Sequence, residues 1–340
     1  MSPSFQRIIL SRPDRIGDVV VSTACIAPLK KRFPNAQFFM IVDEDLRPLL
    51  EGHPLLAGVI GLTLSSKALS IERLNALFAA PEASLLAELN AHPWVSEAAS
   101  HYPRLAFRRY KKSWLDFSGT VADRRGCGLK HEALASWDLL QGMHVSVPSS
   151  LRPSLPSYEE VWPALSSRYP VLSESPFAVF HLAAHGGKRS WPVCKFVDVA
   201  RTLAASRGWR PVLVGDEGLL AQAFVCSYQG ASPVLDLTGK TSLRELGALL
   251  SHAQLVLSRD SGPAHLGAAV GCPTVALMTS HPKHCARRWS PLGERVAVLE
   301  QPLLRKKLFE SRDAWWERMF ASISVGSVLK AIDHVAPLAE

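Results

Sequence analysis

Residues 7–42 read RIILSRPDRIGDVVVSTACIAPLKKRFPNAQFFMIV, and the fold is decided by this stretch. Arg7 to Leu10 is a short apolar run of strand type. Ser11 to Gly17, with Pro13, Asp14 and Gly17, reads as a turn, and Asp18 to Phe33 has helical spacing. After Pro34 a second strand is expected over Gln37 to Val42. Strand, turn, helix, strand is a βαβ unit, the seed of a parallel sheet.

The same pattern restarts in the second half. The spacing predicts a strand over Phe177 to Leu182, a Gly-rich turn at His185 to Arg189 and a helix from Val193 to Ser206. Strand Pro211 to Val214, helices Leu219 to Tyr228 and Ser242 to Ser251, strand Gln254 to Ser258, helix Gly262 to Val270 and strand Thr274 to Met278 follow. In the first half, helices are expected at Ser70 to Phe78, Glu82 to Leu89 and His131 to Met143, and a strand at Ser113 to Phe117. Val147 to Pro156, rich in proline and serine, suits a linker. Trp315, Met319, Ile323, Val328 and Ile332 make the tail helical. An α/β protein follows, with two doubly wound Rossmann-like domains and a cleft between them as the default place for a site.

Composition agrees. The chain has 340 residues, 47% of them hydrophobic and 20% charged, which is ordinary for a globular protein and long enough for two cores. The six cysteines form no CxxC pair and no apolar run is long enough to span a membrane, so reduced thiols and a cytoplasmic setting are expected. The first ten residues carry no pattern of a secretory signal. A net charge of +8 favours anionic partners. Basic residues cluster at Arg104, Arg108, Arg109, Lys111 and Lys112, and at Arg305, Lys306 and Lys307. Neither cluster forms an RNA-binding pattern, so no nucleic-acid partner is expected.

The common nucleotide fingerprints fail. Gly126-Cys-Gly128 lacks the third glycine of GxGxxG, Gly239-Lys-Thr241 has Val234 where a P-loop needs glycine, and no GxSxG occurs. His281, His284 and Cys285, even with Cys272 or His265, lack the paired spacing of a metal site and read as loop residues; no metal is expected.

Three places suit chemistry, each at the carboxyl end of a predicted strand. Asp18 follows Gly17 at the start of the first helix. It is either a carboxylate complementing the helix dipole or a general base, with Gly17 allowing close approach of substrate. The helix terminus is expected to favour its ionised form. Gly186-Gly-Lys-Arg-Ser-Trp-Pro192 offers backbone N–H groups and the cations Lys188 and Arg189 to a diphosphate, or is a surface loop. In Ser258-Arg-Asp-Ser-Gly-Pro-Ala-His265, Ser261 is expected to cap the next helix. Asp260 is placed to take hydrogen bonds from ligand hydroxyls, the N–H groups of Ser261 and Gly262 suit a phosphate, and His265 points inward or to ligand.

Arg15-Ile-Gly-Asp18, Lys188-Arg-Ser-Trp-Pro192, Gly239-Lys-Thr-Ser-Leu243 and Asp260-Ser-Gly-Pro-Ala-His265, in that order, resemble the lipopolysaccharide heptosyltransferases, glycosyltransferase family nine. The resemblance implies a GT-B fold, two Rossmann-like domains facing across a cleft: 1–155 on the acceptor side, 156–312 binding the nucleotide-sugar, and a helical tail, 313–340, packing on either. It implies an inverting, metal-independent transferase without cofactor, moving heptose from ADP-heptose to a lipopolysaccharide core or related glycolipid; the basic cluster from Arg104 to Lys112 is expected to meet the phosphates or acidic sugars of such an anionic acceptor, by peripheral contact at the inner face of the inner membrane. Asp18 matches the catalytic aspartate; Lys188, Arg189, Ser261 and Gly262 the diphosphate site; Asp260, His265 and Thr241 the sugar or nucleotide site; Gly17 and Arg15 the acceptor side. The sequence departs from the family at Ala183, Ala184 and His185, has only Asp216 or Glu217 for a ribose-reaching glutamate, and matches poorly over 62–112. A GT-B nucleotide-sugar epimerase and a non-catalytic nucleotide-sugar-binding module are the alternatives.

Overall fold

The structure, a computed structural model, describes residues 5–63, 65–79, 84–100, 102–108, 119–122, 128–182, 191–216, 218–301, 304–307 and 310–338. The chain divides into two compact units, Met1–Ser157 and Tyr158–Glu340.

The first unit is built on six parallel strands: β1 Arg7–Ser11, β2 Gln37–Asp43, β3 Gly58–Leu62, β4 Ser84–Glu88, β5 Arg104–Arg108 and β6 Gly119–Ala122. They lie in the order β3-β2-β1-β4-β5-β6. β1 is the pivot, pairing Ile9 with Phe39 of β2 on one side and Leu86 of β4 on the other. Burial on both faces explains its unbroken apolar run, since parallel strands covered by helices have no solvent side to alternate with.

Two expectations for this unit are corrected. Glu82 to Leu89 is not a helix: Ser84–Glu88 is strand β4, every residue of it buried. Leu, Ala and Glu favour helices, but a short run buried on both faces carries no period to separate strand from helix, and the sheet decides. Nor is Asp18 to Phe33 one helix. It begins earlier and is divided into Ile16–Ser22, a 3-10 turn Thr23–Cys25 and Ile26–Arg32. Pro28 has no N–H for the Ala24 carbonyl and its ring crowds that group, so the helix re-winds just before it. The strand expected at Ser113 to Phe117 lies outside the described residues. No helix or strand occurs between Met143 and Glu159; there Ser154 donates its N–H to Thr23 Oγ1 at 3.0 Å and lies 2.9 Å, Oγ to Nε2, from His53.

The second unit repeats the plan with β7 Phe177–His181, β8 Arg210–Val214, β9 Leu235–Asp236, β10 Leu255–Arg259, β11 Thr274–Thr279 and β12 Val296–Gln301, in the order β12-β11-β10-β7-β8-β9. The tail helices Arg312–Ala321 and Val325–Val335 belong to this unit, their Met319, Phe320, Val328 and Ile332, with Ile323 of the turn between them, buried with Phe180 and Phe196. Trp191 is the peg between them: fully buried, it donates Nε1–H to the Ile323 carbonyl at 3.1 Å, and Lys195 donates to the same carbonyl at 2.9 Å. Among the described residues no helix is long and apolar enough to cross a membrane.

Of the first basic cluster, Arg104 is corrected. It is buried, donating to the Ser96 carbonyl at 2.8 Å and lying 3.8 Å from Glu88, so it is not surface charge. Arg109, Lys111 and Lys112 lie outside the described residues. Arg305, Lys306 and Lys307 are exposed.

Candidate active site

Both sheets have the doubly wound order, three strands to each side of a switch point, and such sheets receive ligands outside the carboxyl ends of the strands at that point. In the first unit it lies between β1 and β4, and in the second between β7 and β10.

Arg12 is the residue that leaves β1 at the first switch point. Its backbone N–H is still held by Ile41 of β2 at 2.8 Å, and its side chain, 2% exposed, is drawn under the turn. Nη1 donates to the carbonyl of Leu89, just past β4, at 3.2 Å; Nη2 donates to Asp18 Oδ1 at 2.5 Å and to Glu132 Oε1 at 3.1 Å. Nε lies 3.6 Å from Asp14 Oδ2, and that oxygen accepts from Asn90 Nδ2 at 2.9 Å. Asp18 is the third residue of helix Ile16–Ser22 and its side chain is 16% exposed, so it is both held and reachable. Arg15, at the N-cap, is exposed, and Gly17 is buried between them.

The expected ease of ionisation of Asp18 is corrected by this packing. Burial pushes its pKa up; the Arg12 charge pulls down, Asp14 and Glu132 push up again, and the net direction is above the ordinary aspartate value. A short helix terminus does not outweigh desolvation and two neighbouring carboxylates.

At the second switch point His181 ends β7. Its Nδ1 lies 3.2 Å from Ser258 Oγ and 3.0 Å from Ser261 Oγ, and the two hydroxyls are 2.7 Å apart. Burial, then the Arg259 charge, push the imidazole pKa down to about 4, so it is neutral at pH 7. Gly215, at the end of β8, has φ +117°, and a Cβ there would come within 2.8 Å of His181 Cδ2. Only glycine fits both the backbone and the ring.

Ser261 does not cap its helix. It stands at the N-cap of Gly262–Ala269, but its hydroxyl is turned to His181 and Ser258 and makes no cap hydrogen bond. A helix start that its own N-cap side chain leaves uncapped is suited to an anion. Asp260 beside it lies 3.7 Å from His284 Nδ1. His265 is buried one turn on, its ring edge-on to Trp289.

The structure thus brings Asp260, Ser261 and Gly262 together at the end of β10, with His265 below them. Thr241 lies after β9, separated from β10 in the sheet by β7 and β8; its turn is tied to β8 by the Gly239 N–H donating to the Gly215 carbonyl at 2.8 Å. Lys188, Arg189, Ala183, Ala184, His185 and Glu217 lie outside the described residues, and Asp216 is exposed at the end of β8. Among the described residues no group of three or more His, Cys, Asp or Glu is placed to hold a metal ion. Sequence reasoning missed Arg12, Glu132 and His181, and gave Ser258 no role of its own within its motif. Arg12 and His181 carry a local signal, a polar group at the end of a strand; Glu132 carries none, being 120 residues from its partner.

Residues 129–314 match the family model described as glycosyltransferase family 9 (heptosyltransferase). Over 348 aligned residues the chain is 26% identical to lipopolysaccharide heptosyltransferase 3 of Escherichia coli, covering 94% of this chain and 96% of that one. The crystal structure of a glycosyltransferase family 9 protein from Veillonella parvula superposes with a TM-score of 0.82 at 21% identity, over 100% of this chain and 99% of that chain. The structure of E. coli ADP-heptose lps heptosyltransferase II gives 0.77 at 19% identity, over 97% and 98%. The fold is GT-B, two Rossmann-like units in one chain.

Proposed function

This chain belongs to glycosyltransferase family 9, the heptosyltransferases, and from that premise we propose that it moves a heptose from ADP-heptose onto a lipopolysaccharide core or related anionic glycolipid. It is a transferase; the donor, the acceptor and the mechanism are the proposal. Asp18 takes the proton of an acceptor hydroxyl as that oxygen attacks the anomeric carbon, and the nucleoside diphosphate departs from the opposite face, inverting the centre. Negative charge grows on the leaving diphosphate. The uncapped start of helix Gly262–Ala269, through the N–H groups of Ser261 and Gly262, and the cations Lys188 and Arg189 meet that charge, stabilising the transition state more than the ground state. Those groups supply the counter-charge without a metal ion. Asp260 and His265, with Thr241, serve the sugar or nucleotide, and Gly17 and Arg15 the acceptor. A glycolipid acceptor entails work at the cytoplasmic face of a membrane, through peripheral contact.

The observation that carries the reading is Asp18 itself: a partly exposed carboxyl at the switch point, one oxygen fixed by a buried guanidinium, its proton affinity raised by its surroundings. Incubation with ADP-heptose, with and without a truncated core glycolipid and with and without chelator, tests it. ADP release that needs the glycolipid, persists in chelator and yields a heptosylated lipid of inverted configuration is expected. Free sugar released from donor alone indicates an epimerase instead, and donor binding without ADP release a binding module.

A further inference from the structure

Asp18 is one of three carboxylates gathered on one buried cation. The same nitrogen, Nη2 of Arg12, serves Oδ1 of Asp18 and Oε1 of Glu132, and Nε lies near Asp14. Glu132 reaches it from the first turn of helix Glu132–Leu140 and is itself 1% exposed. Among the described residues, three carboxylates thus meet on one guanidinium, and Asp18 feels charges of both signs.

We propose, building on the reading of Asp18 as the base, that Arg12 and Glu132 are positioning residues for the transfer. Arg12 locks the Asp18 carboxyl in one orientation, and Glu132, by claiming the same nitrogen, limits the hold of Arg12 on the charge of Asp18. An arginine alone beside a carboxylate lowers its pKa and makes it a weaker base. Shared with Glu132, the guanidinium orients Asp18 through Oδ1 without draining its basicity, and Oδ2, which makes no hydrogen bond among the described residues, is left for the incoming hydroxyl. The charged groups facing Asp18 are Arg12 and Asp14 from the turn after β1 and Glu132 from the packed helix; the latter two work in the same direction as burial, against Arg12.

The test is a carboxyl-carbon NMR titration of Asp18 in the full-length protein, assigned with Asp18→Asn, beside the pH dependence of kcat for glycolipid-dependent ADP release. In Glu132→Gln the amide still accepts from Arg12 but the charge is gone. The Asp18 pKa is then expected to fall by about one unit, and the acid limb of kcat to move to lower pH with it. In Arg12→Lys the charge remains but the fork is lost; kcat is expected to drop about 10- to 100-fold with the donor KM changed less than about threefold. An unmoved Asp18 titration in Glu132→Gln, or wild-type kcat in Arg12→Lys, overturns the proposal, and so does a loss of stability in both without either effect. The outcome for Asp18→Asn keeps the two readings apart: full turnover there removes the base itself, whereas an inactive Asp18→Asn beside an unmoved titration removes only the positioning role.

Discussion

His181 shows how one buried side chain ties function to stability. Its pKa is pushed from the ordinary histidine value down to about 4. Because the folded value is the lower one, the unfolded chain binds the proton first as acid is added. Stability is therefore lost as the pH falls from about 6.5 through about 4, by about 3 kcal/mol in all. His181→Asn is expected to flatten this dependence, measured by chemical denaturation at about pH 7 and about pH 5; a variant with the parent's pH slope would show that His181 does not titrate as its burial dictates. Gly215→Ala acts on the same ring by another route: a methyl group 2.8 Å from Cδ2, on a backbone at φ +117°, must move the imidazole away from Ser258 and Ser261. A cost of about 1–3 kcal/mol is expected, together with weaker donor binding by calorimetry. Unchanged binding would separate the His181 cluster from the proposed donor site.

At the level of elements, the strand-to-helix joints are where function and legibility meet. β10 and the helix after it were readable from Ser258-Arg-Asp-Ser-Gly-Pro, because a strand end, a Pro at the helix start and small residues are local signals. β4 was not, because Leu85, Leu86 and Ala87 are buried on both faces and only the neighbouring strands distinguish them from a helix. β3 and β12 also escape notice: β3 is buried only at its end, Gly61 and Leu62, β12 is nowhere fully buried, and neither alternates strictly. Among the candidate site residues, Asp18 stands out by its place after Gly17, whereas its partners Arg12 and Glu132 become partners only once the chain is folded. Trp191 belongs to the same scale. It joins the last residues of the basic loop to the turn between the tail helices. Trp191→Phe keeps most of the buried surface but leaves the Ile323 carbonyl to Lys195 alone, at an expected cost of about 1–3 kcal/mol. Hydrogen exchange over Ile323–Val335 should quicken; unaltered protection would mean that the tail is held without this peg.

For the whole molecule, two units with the same strand order each place polar and charged residues at their own switch point, an acid cluster in the first and a helix start with a neutral histidine in the second. Under the proposed transfer, the first of these would be the proton acceptor and the second the anion site. That assignment also separates binding from turnover. Asp18→Asn keeps the size of the side chain and leaves the second unit untouched, so donor affinity by calorimetry should stay within about threefold while glycolipid-dependent ADP release falls about 10²- to 10⁴-fold. Near wild-type ADP release from that variant would contradict the account at its centre.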